Sequence, residues 1–532
     1  MKRTGKMFWM TGLAALAGLS VVACSTPVST QTPGSSVSLS DYDAIKAQLA
    51  AKEQAIAAEA VSREEAVAKL KTQADQLKAQ LAGIVPATVI QAGQLQPVPV
   101  GQQPSGWDTT ESLRAGLKLV ATYDSNGPDA WDVAKHPTVY FTSEGGTNLF
   151  GGLHIIDAYS KEVVASVNYD LGAKVSPHTV GVSPDGKWAY LQGGRLVDGK
   201  TEDVTLIINA RTLKIAKILK QESRFQGSMR VQRLHHVMGF IDSKGNDRLV
   251  LQYGFGSNGG PHFVLDPKND NKVVMAITVE DTGYWMGHPF LTVDPTGKYL
   301  YVGLKMAAWQ EATKEIGGIA KINLETRAVT VIPGVGEHLI GMAHTADGKF
   351  TFVIDGEGSL VYKIDNATNT VVGHASAGVA GPYGIALNWD ETELFTVGKG
   401  EGSHNSGSVL GVVDIKNGAF TPKRGIVNPI SLAGTGKVAS IDHAFLHPDP
   451  KVNELWISNM AGDETIVLDL ATRTVKTYIP TPHGGNTHSG AFVQYKTDWT
   501  GKVLADHSGP KGDMMATRLA MTKAAAAAVP AK

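Results

Sequence analysis

"PHTVGVSPDGKWAYL" (Pro177–Leu191), followed after a spacer by "VTLIINARTLKIAKIL" (Val204–Leu219), decides the fold. A short apolar strand runs into the turn Ser183-Pro184-Asp185-Gly186. A second strand leaves that turn, and two more strands joined by a polar turn complete the unit. Gly, Pro, Asp and Asn bound each apolar run, which is the chemistry of strands and turns. The Asp-Gly pairs at Asp185-Gly186 and Asp347-Gly348 suit tight hairpins.

The unit returns along the chain. Its first half reappears as "HHVMGFIDSKGNDRLVL" from His235, "HPFLTVDPTGKYLYV" from His288, "HLIGMAHTADGKFTFV" from His338, "PYGIALNWDETELFTV" from Pro382 and "HAFLHPDPKVNELWIS" from His443. The second half reappears from Leu153, Ile319, Leu360 and Thr465. Four strands repeating every 45 to 60 residues or so, roughly, are the signature of a propeller blade. The expected fold is all-β, a seven- or eight-bladed β-propeller preceded by a long N-terminal α-helix. Seven units run from His136 to Ile479. An eighth forms if His488–Tyr495 pairs with a strand at Leu117–Tyr123, which would close the ring by joining the chain ends.

Upstream of the repeats, a basic start (Met1 to Lys6) and an apolar run (Met7 to Ala23) read as a secretion signal, too short and too rich in Gly and Ala for a membrane span. Val21-Val22-Ala23-Cys24 resembles a bacterial lipobox, which implies lipidation of Cys24. With Ser25 next, the implied address is the periplasmic face of the outer membrane. The expected organisation is signal peptide 1–23, tether 24–40, helical stalk 41–84, linker 85–112, propeller 113–510 and Ala-rich tail 511–532. Leu49, Ile56, Leu70 and Leu77 fall at multiples of seven, compatible with a coiled coil and a homo-oligomer through the stalk; Arg63 interrupts the seam. The other reading of 41–84 is a helix packed on the propeller.

Composition excludes several functions. Cys24 is the only cysteine. One chain therefore holds no disulfide, covalent haem c site, thiolate-ligated iron–sulfur cluster or CuA-type centre. Formal charge is -1, with 49 basic and 50 acidic residues, which gives no reason to expect nucleic-acid binding.

In a propeller the innermost strands border a central channel, so equivalent positions at their starts converge on one mouth. This chain places His178, His235, His236, His288, His338, His443 and His488 at or near those starts, and only the unit at Pro382-Tyr383 lacks a histidine. His344 and His447 sit further along their strands. Imidazoles converging on one cavity point to a metal centre, copper first and then zinc or iron, since no thiolate is at hand. The competing reading is a structural, hydrogen-bonding role inherited with a duplicated repeat. Asp442, Glu280 and Asp281 stand close enough in sequence to act as ligands or as acceptors fixing imidazole tautomers. Lys135, Arg230 and Arg233 would hold an anionic substrate. Each of these charged residues also reads as an ordinary surface group. Asp506-His507 and Met514-Met515 follow the last strand and read either as further soft-metal ligands or as a polar tail.

The Pro177–Tyr190 pattern resembles the YVTN-type repeats of bacterial propellers, a group that includes the haem-d1 propeller of cytochrome cd1 nitrite reductase, nitrous oxide reductase and thiocyanate dehydrogenase. Asp442–Leu470 resembles a d1-propeller segment, and His344–Asp365 a histidine-bearing segment of nitrous oxide reductase. The His235-His236 pair is similar to the adjacent histidines of the copper sites in nitrous oxide reductase and thiocyanate dehydrogenase. These resemblances imply a copper oxidoreductase acting on a small inorganic substrate such as thiocyanate or a nitrogen oxide, with an external cytochrome c as electron partner. No complete ligand set of either family maps onto this chain, and the Tyr383 unit breaks the pattern. The alternatives are a haem-d1-binding propeller and a non-catalytic propeller lipoprotein that binds an envelope or protein partner.

Overall fold

The computed structural model describes residues 100–103, 105–146, 148–222, 233–254, 259–308, 317–336, 338–400, 409–416, 420–422, 430–431 and 440–527. The expectations for Cys24, the tether and the stalk lie outside them, as do Arg230 and the side chain of His288. In the described residues the repeat forms seven antiparallel sheets, the blades of an all-β propeller.

The burial of successive strands shows why the sequence takes this form. Inner strands such as Leu339–His344, Pro382–Leu387 and Ile441–Leu446 are buried at every position. Outer strands such as Thr370–Ser376 and Thr474–Pro480 carry exposed positions. That gradient from axis to rim explains why some runs are continuously apolar and others alternate. Between the first two strands of a unit, Gly186 takes φ +72°, a conformation that costs a residue with a Cβ. Asp185 braces the same turn through the Ser183 hydroxyl and the Lys187 N–H.

Six blades are contiguous in sequence. The seventh is shared by the two ends of the chain. Gly490–Tyr495 pairs with Thr138–Glu144, in register from Thr138 opposite Gln494 to Thr142 opposite Gly490. The ring therefore closes at seven blades. The unit beginning at His136 lacks an inner strand of its own, and the C-terminal segment supplies it. The strand Leu117–Thr122, which the eight-bladed alternative paired with His488–Tyr495, pairs instead with the outer strand Ile215–Gln221 of another blade.

The chain then turns into the channel. Gly501–Asp506 pairs with Gly490–Tyr495 on the edge away from Thr138–Glu144, and Gly509–Pro510 folds back on it. This hairpin touches inner strands all round the ring. Val503 N–H donates to the Pro184 carbonyl at 3.1 Å, and the segment Asp506–Gly509 shares a wall with Ala343, Ile385 and Ala444. A cavity of about 430 Å³ remains at the far mouth, bordered by the hairpin, His344 and the turn Asp294–Gly297.

The Ala-rich segment, expected as a loose tail, is helical at Asp513–Ala527. Sequence composition missed its anchor. Arg518 is buried against the propeller, 3.3 Å from Glu391, and donates to the Asn388 carbonyl at 3.0 Å. Met514 and Met521 pack on the apolar cluster around Trp389. Arg518→Ala leaves Glu391 as a buried charge without its cation. The expected cost is about 3–5 kcal/mol, read as a lowered urea midpoint; a midpoint within error of wild type would show that the pair contributes nothing.

A candidate metal centre in the propeller mouth

The inner strands begin irregularly, and this irregularity builds the site. Opposite the histidine pair, Gln252 faces His236 while Tyr253 faces Leu234, so His235 is the extra residue of a β-bulge. Strict alternation would send the two imidazoles to opposite faces. The bulge re-aims one of them, and the rings lie 4.1 Å apart on the same side. Register shifts also fall between Ile441 and Ala444, around Asp442-His443, and between Pro382 and Ile385, around Tyr383. Asp442 and His443 thus reach one cavity although they are adjacent in sequence.

A bulged strand leaves backbone N–H groups without ladder partners, and buried donors need acceptors. Side chains at the end of the neighbouring strand supply them. Gln192 Oε1 accepts from His178 N–H at 2.9 Å, Ser458 Oγ from His443 N–H at 2.9 Å, Ser143 Oγ from His488 N–H at 3.4 Å, and Asp355 Oδ1 from His338 N–H at 3.4 Å. The loop leading to His488 is held further out, where His483 Nδ1 meets the buried carboxylate of Glu144 at 2.6 Å.

Five imidazoles meet around the axis. The His178 ring lies 4.3 Å from that of His235, 4.3 Å from His488 and 4.8 Å from His236. His443 lies 5.6 Å from His236 and 6.2 Å from His178. Two sets bring three potential ligand atoms within 4.8 Å of one another: His178 with His235 and His236, and His178 with Asp442 and His443. All are buried, none more than 4% exposed.

Asp442 organises one side of the cluster. Its carboxylate meets Lys399 Nζ at 2.9 Å, accepts from His488 Nδ1, and lies 3.6 Å from His443 Nε2. Burial alone would raise its pKa, but His443, Lys399 and His488 together hold it well below the usual carboxylate range. A carboxylate that accepts from Nδ1 leaves the lone pair of His488 on Nε2, the arrangement of a metal-binding histidine oriented by its neighbour. Burial, reinforced by neighbouring imidazoles, pushes His178, His236 and His443 well below the ordinary histidine value, so they are neutral and able to ligate.

Tyr383 fills the place where its unit lacks a histidine. Its hydroxyl is 3.3 Å from His178 Nε2, and Lys399 Nζ sits 3.6 Å from the centre of its ring. His507, on the channel hairpin, places its ring 5.9 Å from that of His236. Tyr383 was not among the expected ligands, whereas His507 belongs to the Asp506-His507 pair for which a ligand role was one of two readings. The signal for Tyr383 was its position in the repeat, and for His507 the Asp-His pair just beyond the last strand.

The other expected residues fall elsewhere. His338 is partly exposed at its strand start. His344 lies six residues further along, roughly 20 Å at strand spacing, at the opposite mouth. There its Nδ1 bonds Thr351 at 2.8 Å. Lys135 is exposed in the loop before Thr138–Glu144. Arg233 donates to the Ser176 carbonyl at 2.9 Å and braces the strand carrying His178. Glu280 is exposed, whereas Asp281 caps its short helix at Thr278 and pairs with Arg114 at 2.6 Å. Arg233 and Asp281 thus each make a structural contact.

No protein-family model and no curated protein matches this chain. Solved structures do. A candidate 6-phosphogluconolactonase from Bacteroides fragilis has 14% identity, covering 67% of this chain and 98% of that one, with a TM-score of 0.45. A protein from Lactobacillus plantarum has 14% identity over 67% and 99%, with a TM-score of 0.46. The dihydro-haem d1 dehydrogenase NirN, solved with DHE, has 14% identity over 74% and 82%, with a TM-score of 0.42. The strand pairing itself defines the class, a seven-bladed β-propeller, here with a histidine-lined mouth.

Burial lowers His262, His344 and His507 to about 4. Between that value and the ordinary histidine value of about 6.5, the unfolded chain takes up protons that the native one refuses. Stability of the metal-free protein is therefore expected to fall as pH drops from about 6.5 towards 4, and to recover as pH rises. Urea midpoints across that window test this; a flat profile would contradict it.

Proposed function

We propose that this chain is a metal-dependent oxidoreductase, with copper held by imidazoles at the propeller mouth. The observation that supports it is the pair of converging ligand sets that share His178. Neutral imidazoles with one carboxylate and no thiolate suit copper, zinc or iron, and of these copper and iron cycle by one electron. When bound, the metal would supply Lewis acidity and that one-electron capacity. The chain's own residues bind and orient. Asp442 fixes the His488 tautomer, the Gln and Ser side chains hold the strand starts, and Lys399 places a cation beside Tyr383 and Asp442. A fixed cation next to a buried, confined site favours a small anionic or polar inorganic substrate, such as thiocyanate or a nitrogen oxide.

One cysteine, Cys24, leaves no means of building a covalent haem c or a CuA centre within the chain. Electrons would therefore pass to or from an external carrier, a cytochrome c by this reading, in the cell envelope where a lipid anchor on Cys24 would hold the protein. The haem-d1 alternative needs a slot for a flat macrocycle. Rings of different blades 4.3–4.8 Å apart, with a hairpin beneath them, fit ions better than a porphyrinoid.

Purified with copper supplied, the protein is expected to carry two or more coppers per chain by elemental analysis. His178→Ala removes the residue common to both sets and should abolish most of that content, with His236→Ala and His443→Ala each reducing it. A macrocycle spectrum in its place would favour the haem-d1 reading. Neither metal nor chromophore would overturn both redox readings in favour of a binding propeller.

A further inference from the structure

Resting on the reading of a metal centre, we infer that His507 is a further ligand of it, so that metal loading pins the C-terminal hairpin inside the channel. His507 belongs to no blade. It stands at the tip of the hairpin that follows the ring-closing strand, 6% exposed.

Three observations aim it. Asp506 clamps the tip: its Oδ1 accepts from the Ser508 N–H and hydroxyl, each at 2.8 Å, and meets Lys511 Nζ at 3.2 Å. The backbone of Leu291, on the inner strand of another blade, hydrogen-bonds the imidazole. A neutral imidazole that donates one N–H to a carbonyl carries its lone pair on the other nitrogen, as metal-binding histidines commonly do. Third, the ring lies 5.9 Å from His236, and His236 in turn lies 5.6 Å from His443. With metal–nitrogen bonds of about 2.0–2.1 Å, each ring centre sits roughly 3.2 Å from its ion. Two imidazoles on one ion then have centres up to about 6.4 Å apart. Both separations fall inside that span, so His507 can share an ion with His236 on the side of the cluster facing the hairpin.

A ligand delivered by a plug couples two events that blade histidines do not. Binding the ion stabilises the hairpin in the channel, and displacement of the hairpin removes a ligand. The blade histidines sit on strands held by the ring whether or not an ion is present, so this coupling is particular to His507.

The test uses the full chain stripped of metal and titrated with Cu(II). In wild type, copper is expected to slow amide exchange across residues 501–510. His507→Gln is expected to bind copper at least on the order of 10- to 100-fold more weakly, the loss already typical of partners one shell away from a metal. It should also show an altered Cu(II) electron paramagnetic resonance signal and no copper-dependent change in exchange. Wild-type copper binding with unchanged affinity and signal in His507→Gln would overturn the inference and leave the blade centre standing. If the variant misfolds, wild type alone decides, because copper binding without slower exchange at 501–510 overturns it. A wild type that binds no copper removes the centre itself, and this inference with it.

Discussion

The antiparallel pairing of Gly490–Tyr495 with Thr138–Glu144 holds everything else in place. A propeller blade is a sheet with two edges and two faces, and only a closed ring gives every blade a neighbour on both sides. The pairing joins residues about as far apart as the repeats allow: Ser143 and His488, hydrogen-bonded across the seam, are separated by 345 positions. Around the joint lies an aromatic cluster of Tyr140, Phe445, Trp456 and Phe492, with ring centres 4.8–5.4 Å apart. Tyr140 and Phe492 belong to the closing blade, Phe445 and Trp456 to its neighbour. Backbone pairing and side-chain packing therefore close the ring at the same point.

A ring of this kind brings strand starts together, but regular strands would present alternate residues to the axis. The centre depends on departures from regularity. Bulges at His235, at Asp442-His443 and at Tyr383 direct neighbouring residues into a common space. Gln192, Ser458 and Ser143 replace the ladder bonds that irregular starts forgo. Asp442 is the extreme case, a fully buried carboxylate kept ionised by Lys399 and His488. Such a charge is tolerated only where cationic and hydrogen-bonding partners surround it.

The fold was legible because each unit repeats a local signal: an apolar run, an Asp-Gly or equivalent turn, a second run. Convergence of the histidines was legible because propeller geometry maps equivalent sequence positions onto one ring. The choice between seven and eight blades stayed open because pairing across the whole chain leaves no local mark, and Leu117–Thr122 offered a plausible apolar partner for His488–Tyr495. Tyr383 read as a gap, since a pattern built on histidine has no place for a phenol. Alternation predicted that His235 and His236 would diverge; a bulge is set by how two strands meet, and neither strand alone reveals it. Arg233 was read as a substrate-holding cation and Asp281 as a ligand or imidazole acceptor; sequence cannot show that one also holds a backbone carbonyl and the other a helix end. Arg518 lay within an alanine-rich stretch, where composition argued against any anchor.

The hairpin also fixes an order of events. Residues 490–510 follow all six contiguous blades in the chain, yet they provide the inner strand of one blade, the filling of the channel and His507. Contacts this distant in sequence slow the search for the native state, and here they are also the contacts that complete the site. The six contiguous blades are synthesised before the strand that closes them, so the unfinished ring keeps an open seam until Gly490–Tyr495 has been made. A chain that stops short of Gly490 forfeits closure and cavity together.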